Sequence, residues 1–100
     1  MSFQLIIREG AEADIAGAAD WYEAQQAGLG VEFVAEAKRA IRWAASHPLV
    51  NRLMRREPEV RRVLMKRFPY RVFYIVRPHA VVVFAVLHGA RHEARWKGRL

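Results

Sequence analysis

The chain has 100 residues, 53% of them hydrophobic, with 17 Lys+Arg against 10 Asp+Glu and no Cys. That length allows one core in one domain, residues 1–100, and the missing cysteines exclude disulfide staples and thiolate metal sites, as suits a reducing cytoplasm. Charge is lopsided: residues 1–50 carry four Lys/Arg and seven Asp/Glu, whereas residues 51–100 carry thirteen and three, a formal +10. A solvated basic face and a polyanionic or acidic partner both account for such a half.

The first apolar run, "FQLIIR" at residues 3–8, has strand composition. It is too short for a signal peptide or a membrane span, so a cytoplasmic chain with no membrane partner is expected. A helix then starts near residue 10 or 11. Ala11, Ile15, Ala18, Ala19 and Tyr22 recur at helical spacing. Glu12 and Asp14 suit its positive end, and "QAGLG" ends it, with Gly28 and Gly30 available for a left-handed turn.

A second helix is expected over residues 31–46. Val34, Ala37, Ile41 and Ala44 form its buried stripe, with Phe33 and Ala45 beside it, and His47–Pro48 is its stop. Two helices this closely joined make an antiparallel hairpin. "LVNRLMRREPE" reads as a long basic connection, in which Pro58 argues against a central strand.

Three strand-like runs follow: residues 60–67, 70–76 and 80–88, the last two separated by an "RPHA" turn. The expected fold is α+β, in the order β-α-α-β-β-β, with a twisted, mainly antiparallel sheet and the hairpin on one face. In the middle run Tyr70, Val72, Tyr74 and Val76 point one way, and Phe73 and Ile75 the other. In the last, Val82, Phe84 and Val86 oppose Val81, Val83, Ala85 and Leu87. Both faces are apolar, and the helices cover one. The tail from about residue 89 to 100 is short and basic, so a partner protein is expected on the second face.

Several motifs now fall in a recognisable order. "WYE" and "GLG–x–x–F" mark the helical hairpin, "FPYR–x–x–Y" the middle strand, and "V–x–H–x–x–R", with a Trp a few residues on, the end of the last strand. With their spacing, these resemble the ParE/RelE superfamily of bacterial type II toxin–antitoxin toxins, the plasmid stabilisation group, on its ParE-like side. The resemblance implies a microbial-ribonuclease-like fold. It also implies a cognate antitoxin, small and acidic, with a ribbon-helix-helix or similar DNA-binding domain.

Two activities diverge within that superfamily. ParE-like toxins poison DNA gyrase, whereas RelE-like toxins cut mRNA on the ribosome using lysines and arginines on the sheet and a tyrosine near the C-terminus. By strand register Arg62 stands where that branch has a first lysine, and Leu64 where it has a second. Arg71 and Arg91 match its arginines, and Trp96 falls at or near the tyrosine. Indole does not titrate usefully and a guanidinium holds its proton, which leaves His88 or His92 for proton transfer.

These departures favour a gyrase-binding toxin over an endoribonuclease. The target-binding residues are then expected in the basic tail, at Arg91, Arg95, Trp96, Lys97 and Arg99. If the chain is a nuclease, the set is Arg62, Arg71, Arg91 and His88, without a metal. A non-toxic module that only helps its antitoxin bind the operator is a third possibility. No cofactor or metal is expected, and Glu9, Asp14 and Asp20 read as helix-face charges. His47 and His79 read as punctuation, Trp21 and Tyr22 as hairpin core, and Arg71 as a possible partner of Glu23 or Glu36.

Overall fold

The computed structural model describes residues 4–89 and 93–100. The elements run β1 (Gln4–Ile7), α1 (Glu9–Gln25), α2 (Leu29–Ser46), β2 (Arg52–Arg55), β3 (Val60–Leu64), β4 (Tyr70–Arg77), β5 (Ala80–His88) and α3 (Glu93–Gly98). The strands form one sheet in the order β1-β5-β4-β3-β2. β1 lies parallel to β5, and the other pairs are antiparallel. The α+β architecture is as expected, with two additions. The basic connection contains the short edge strand β2, and the tail contains α3.

Both helices pack on one sheet face. Ala11 and Ala18 of α1 and Phe33, Ala37, Ala40, Ile41 and Ala44 of α2 meet Val72, Tyr74, Val81, Val83 and Val86. The buried stripe of α2 is turned slightly from the expected one: Ala40 is buried, and Val34 stands only half-buried. The hairpin turn explains how the helices come so close. Gly28 takes φ 90°, a left-handed conformation that L side chains rarely adopt. A Cβ on Gly30 would sit 2.6 Å from the Ala19 carbonyl oxygen. The Glu23 carboxylate accepts from the Gly28 N–H (2.9 Å) and the Gly30 N–H (3.0 Å), which ties the end of α1 to the start of α2. Those two donors hold the Glu23 carboxyl below the usual carboxylate range.

β4 alternates as expected, with Val72 and Tyr74 toward the helices and Phe73 and Ile75 away from them. β5 does not. Its register with β4 runs to Phe73↔Ala85 and resumes at Tyr74↔Val83, so Phe84 is an extra residue in a β-bulge. Val81, Val83 and Val86 therefore join the helices, while Val82, Phe84, Ala85 and Leu87 share the second face. The expected grouping of Val86 with Phe84 is corrected by that one inserted residue.

The second face is covered in part by the chain itself. Trp96 of α3 is 1% exposed and lies among Val60, Phe73, Ile75, Val82, Phe84, Ala85 and Leu87. Its ring stacks on Phe73 at 5.8 Å and 17°. The expectation that the tail was too short and polar to reach this face is thus corrected: one large aromatic suffices to seat a six-residue helix.

Candidate functional site

The site is the end of the sheet where α3, the β5 bulge and the second face meet. β1 pairs with β5 only as far as Ile7↔Val83, and the chain then enters α1, with the Arg8 N–H donating to the Val83 carbonyl (2.9 Å). The β5 edge past Val83 has no strand beside it. Asp14 of α1 fills that gap by accepting from the Val86 N–H (2.9 Å). The same carboxylate accepts from both terminal nitrogens of Arg99, at 2.6 and 2.8 Å. Arg99 also reaches the carbonyl of bulge residue Phe84 at 3.4 Å. Asp14 and Arg99 therefore clamp α1, the bulge and the chain end together, and that carboxylate raises the Arg99 pKa.

This geometry sorts the tail residues expected to bind a target. Trp96 is core, and Arg99 is held by Asp14. Arg95 and Lys97 are exposed, with the Lys97 ammonium 5.8 Å from the Trp96 ring centroid. Arg95 also lines a polar groove of about 300 Å³ together with Asp14, Gly17, Tyr70, Val86 and His88. Arg91 and His92 lie outside the described residues.

The nuclease set separates in the same way. Arg62 is the cross-strand neighbour of Phe73, and Arg71 that of Leu64 and Leu87. Both arginines therefore belong to the second face, on diagonal positions of the β3–β4 ladder. Arg71 lies against Gly89, where a Cβ would sit 3.3 Å from its Nε. It points away from the helices, and Glu23 and Glu36 are engaged elsewhere, with Gly28 and Gly30 and with Arg39. The idea of a structural pair with either carboxylate is corrected.

His88 is opposite Tyr70, edge-on to its ring at 5.3 Å, and belongs to the helix-side face. Alternation along β5 thus sets it on the face opposite Arg62 and Arg71. The strand residues on the second face are Val60, Arg62, Leu64, Arg71, Phe73, Ile75, Val82, Phe84, Ala85 and Leu87. They offer two guanidiniums and no group able to exchange a proton near neutrality. Among the described strand residues, what this face offers is positive charge. Among the described residues no group of His, Asp or Glu could hold a metal ion, and no helix is long and apolar enough to cross a membrane.

A family model for the ParE toxin of the type II toxin–antitoxin system, parDE, matches residues 5–93. The chain belongs to this family. The match spans both long helices and all five strands except Gln4, the first residue of β1, and it stops short of Arg95, Trp96, Lys97 and Arg99. Among solved structures, a chain of the chromosomal ParDE toxin–antitoxin system from P. aeruginosa superposes with a TM-score of 0.77 at 15% identity, over 87% of this chain and 96% of that one. At that identity the likeness is one of ParE-like fold. Among curated proteins, none matches the sequence.

Sequence reasoning missed the clamp, the bulge and the seat of Trp96. Asp14 looked like any acidic residue early in a helix, and its role follows only from where β1 ends. Trp96 carried a signal, as a lone large aromatic in a polar tail.

Proposed function

We propose that this ParE-family chain is the toxin of a pair, arresting growth by binding DNA gyrase and so blocking replication. A small acidic antitoxin, carrying a ribbon-helix-helix or similar DNA-binding domain, neutralises it in the cytoplasm. The carrying observation is the make-up of the second face, where the described strand residues Arg62 and Arg71 supply guanidinium charge while His88 belongs to the other face. Binding asks for no such convergence. The exposed cations Arg95 and Lys97, with Arg91, are the proposed contacts with the target. Trp96 and Arg99 support them from the core and from the Asp14 clamp.

The test is induction of the chain alone, following DNA and protein synthesis separately. Arg62→Ala should leave growth arrest in place, and the double reversal Arg95→Glu, Lys97→Glu should abolish it with the melting temperature unchanged. Deleting residues 95–100 is unsuitable, because it removes Trp96 from the core and Arg99 from its clamp. Since Arg62 and Arg71 do share a face, ribosome-dependent mRNA cleavage is the second reading. Translation stopping before replication, with mRNA cuts that vanish in Arg62→Ala, would establish it instead.

A further inference from the structure

In the middle of the second face stand Arg62 and Arg71. Its margin carries three more arginines, Arg52 and Arg55 of β2 and Arg77 of β4. Arg52 lies opposite Arg62, and Arg77 follows Phe73 and Ile75 by alternation and lies opposite Ala80, which packs on the same cluster. Arg55 is there because of a bulge. The register of β2 with β3 runs to Leu53↔Arg61 and resumes at Arg55↔Val60, so Met54 is an extra residue. Plain alternation sets Arg52 and Arg55, three residues apart, on opposite faces. At the β5 bulge Phe84 and Ala85 both join the face of their shared neighbour Phe73. Met54 and Arg55 do the same with Val60, and Met54 packs against that cluster.

The charge is one-sided. The strands hold six Arg and no Asp or Glu, and five of the six belong to the second face. The sixth, Arg61, lies opposite Tyr74 on the helix side and serves the fold: it donates to Glu59 (2.7 Å) and to the carbonyls of Leu49 (3.1 Å) and Asn51 (2.7 Å). Arg52, Arg55 and Arg77 are exposed and Arg62 is half-buried. Arg52 and Arg62 are like charges directly across the ladder. That arrangement is destabilising by itself, and an anion laid across both reverses its sign.

We propose that this margin binds the phosphate backbone of duplex DNA, with Arg52 and Arg55 making the outer contacts and Arg62 the one beside them. The choice of DNA rests on the toxin reading above, in which gyrase holds a DNA segment next to whatever is bound to it. Every strand cation on this face is an arginine, whose planar fork meets two oxygens of one phosphate. A basic stripe gathered on one face, in a chain of pI ≈ 10.8, is the footprint of a polyanion. An acidic protein segment needs apolar anchors between its carboxylates, and the apolar residue between Arg52 and Arg55 that shares their face, Met54, is already packed against the core. Phosphate contacts carry no sequence information, so binding is indifferent to sequence. Loss of Arg62 alone leaves Arg52 and Arg55 in place, so growth arrest does not hang on it.

The test uses the full chain and a fluorescent twenty-base-pair duplex of mixed sequence, titrated by anisotropy over a range of salt. The double variant Arg52→Ala, Arg55→Ala should weaken binding at least tenfold. It should also make the slope of log K against log salt shallower by about 1.8, because each phosphate contact contributes about 0.9. Lys38→Ala, Arg42→Ala removes the same charge from exposed positions on α2 and should leave the slope unchanged. Arg52→Lys, Arg55→Lys keeps the charge and should keep the slope, which separates lost contacts from a disturbed β2. A slope unmoved by the β2 alanines, lowered equally by the α2 alanines, or lowered equally by the lysines overturns the proposal. So does a poly-glutamate peptide of equal charge, or a single-stranded RNA, that binds the wild-type chain more tightly than the duplex. Growth arrest by the wild-type chain is scored separately. A chain that arrests growth but whose margin binds no DNA overturns the margin alone, and a DNA-binding margin in a harmless chain overturns the toxin reading alone.

Discussion

The two faces of the sheet are buried by different means. The first is sealed by two helices, 17 and 18 residues long, through a broad layer of small and aromatic side chains. The second is covered in part, among the described residues by Trp96 on a six-residue helix. A broad layer spreads its stabilisation over many contacts, whereas the second face depends on one ring and on the Asp14–Arg99 clamp that brings it there. The Trp96 indole N–H has no partner, although the ring is buried. An unpartnered buried donor costs about 1–3 kcal/mol, so the indole itself is held by shape, and the polar hold on this end of the chain is the Asp14–Arg99 clamp. The exposed target-binding candidates sit on this lightly held element, and the helical hairpin supplies the rigid base.

Breaking the first face should have the largest effect. Ile41 is 3% exposed between α2 and the sheet, and Ile41→Ala should cost about 2–5 kcal/mol in chemical denaturation. A loss below about 1 kcal/mol would mean that α2 does not present that face.

Next comes the clamp. Asp14→Ala leaves the Val86 N–H and the Arg99 guanidinium without their acceptor. Hydrogen bonds to charged groups contribute about 1.5–3 kcal/mol. With Arg99 partly solvated, a loss toward the lower end is expected, accompanied by faster exchange at the Val86 amide. Unchanged exchange there would contradict the clamp.

A smaller change separates ring shape from polar contact. Trp96→Phe keeps an aromatic on Phe73 and removes the orphaned N–H. The lost area and the removed polar penalty oppose each other, so stability should move by less than about 1 kcal/mol, and growth arrest should persist. Arrest lost at unchanged stability would make the indole itself a target contact.

The smallest effect is a pH dependence at the hairpin turn. The Gly28 and Gly30 N–H groups lower the Glu23 pKa, so its contribution is present above the ordinary carboxylate pKa and is lost as pH falls through the lowered one. Glu23→Gln should flatten the acid limb of the stability curve and change little at neutral pH. Identical acid limbs would show that those donors do not distinguish the charged carboxylate.

The same contrast explains what could be read in the sequence. The helix-side face was legible because the periodicity of α1 and α2 and the aromatic alternation of β4 each point to one buried side. β5 is apolar on both faces, so alternation there carries no information, and the bulge at Phe84 left no trace. β2 is four residues long and mostly exposed, with arginines at both ends, so it looked like a connection. α3 is shorter than a helical pattern needs, and only Trp96 hinted at a core role. Arg62 and Arg71 share the second face through the β3–β4 register, which the sequence alone did not pair. That His88 lies on the side opposite Arg62 and Arg71 needed the fold.

The central claim is that this chain acts by binding gyrase and cuts no RNA. Its most direct test puts the purified protein into two reactions, DNA supercoiling by gyrase and mRNA integrity on programmed ribosomes, with Arg62→Ala and the Arg95→Glu, Lys97→Glu double variant alongside. Wild type and Arg62→Ala should both inhibit supercoiling and accumulate cleaved DNA, the double variant should do neither, and mRNA should stay intact throughout. Uninhibited gyrase together with mRNA cleavage that disappears in Arg62→Ala would contradict the account.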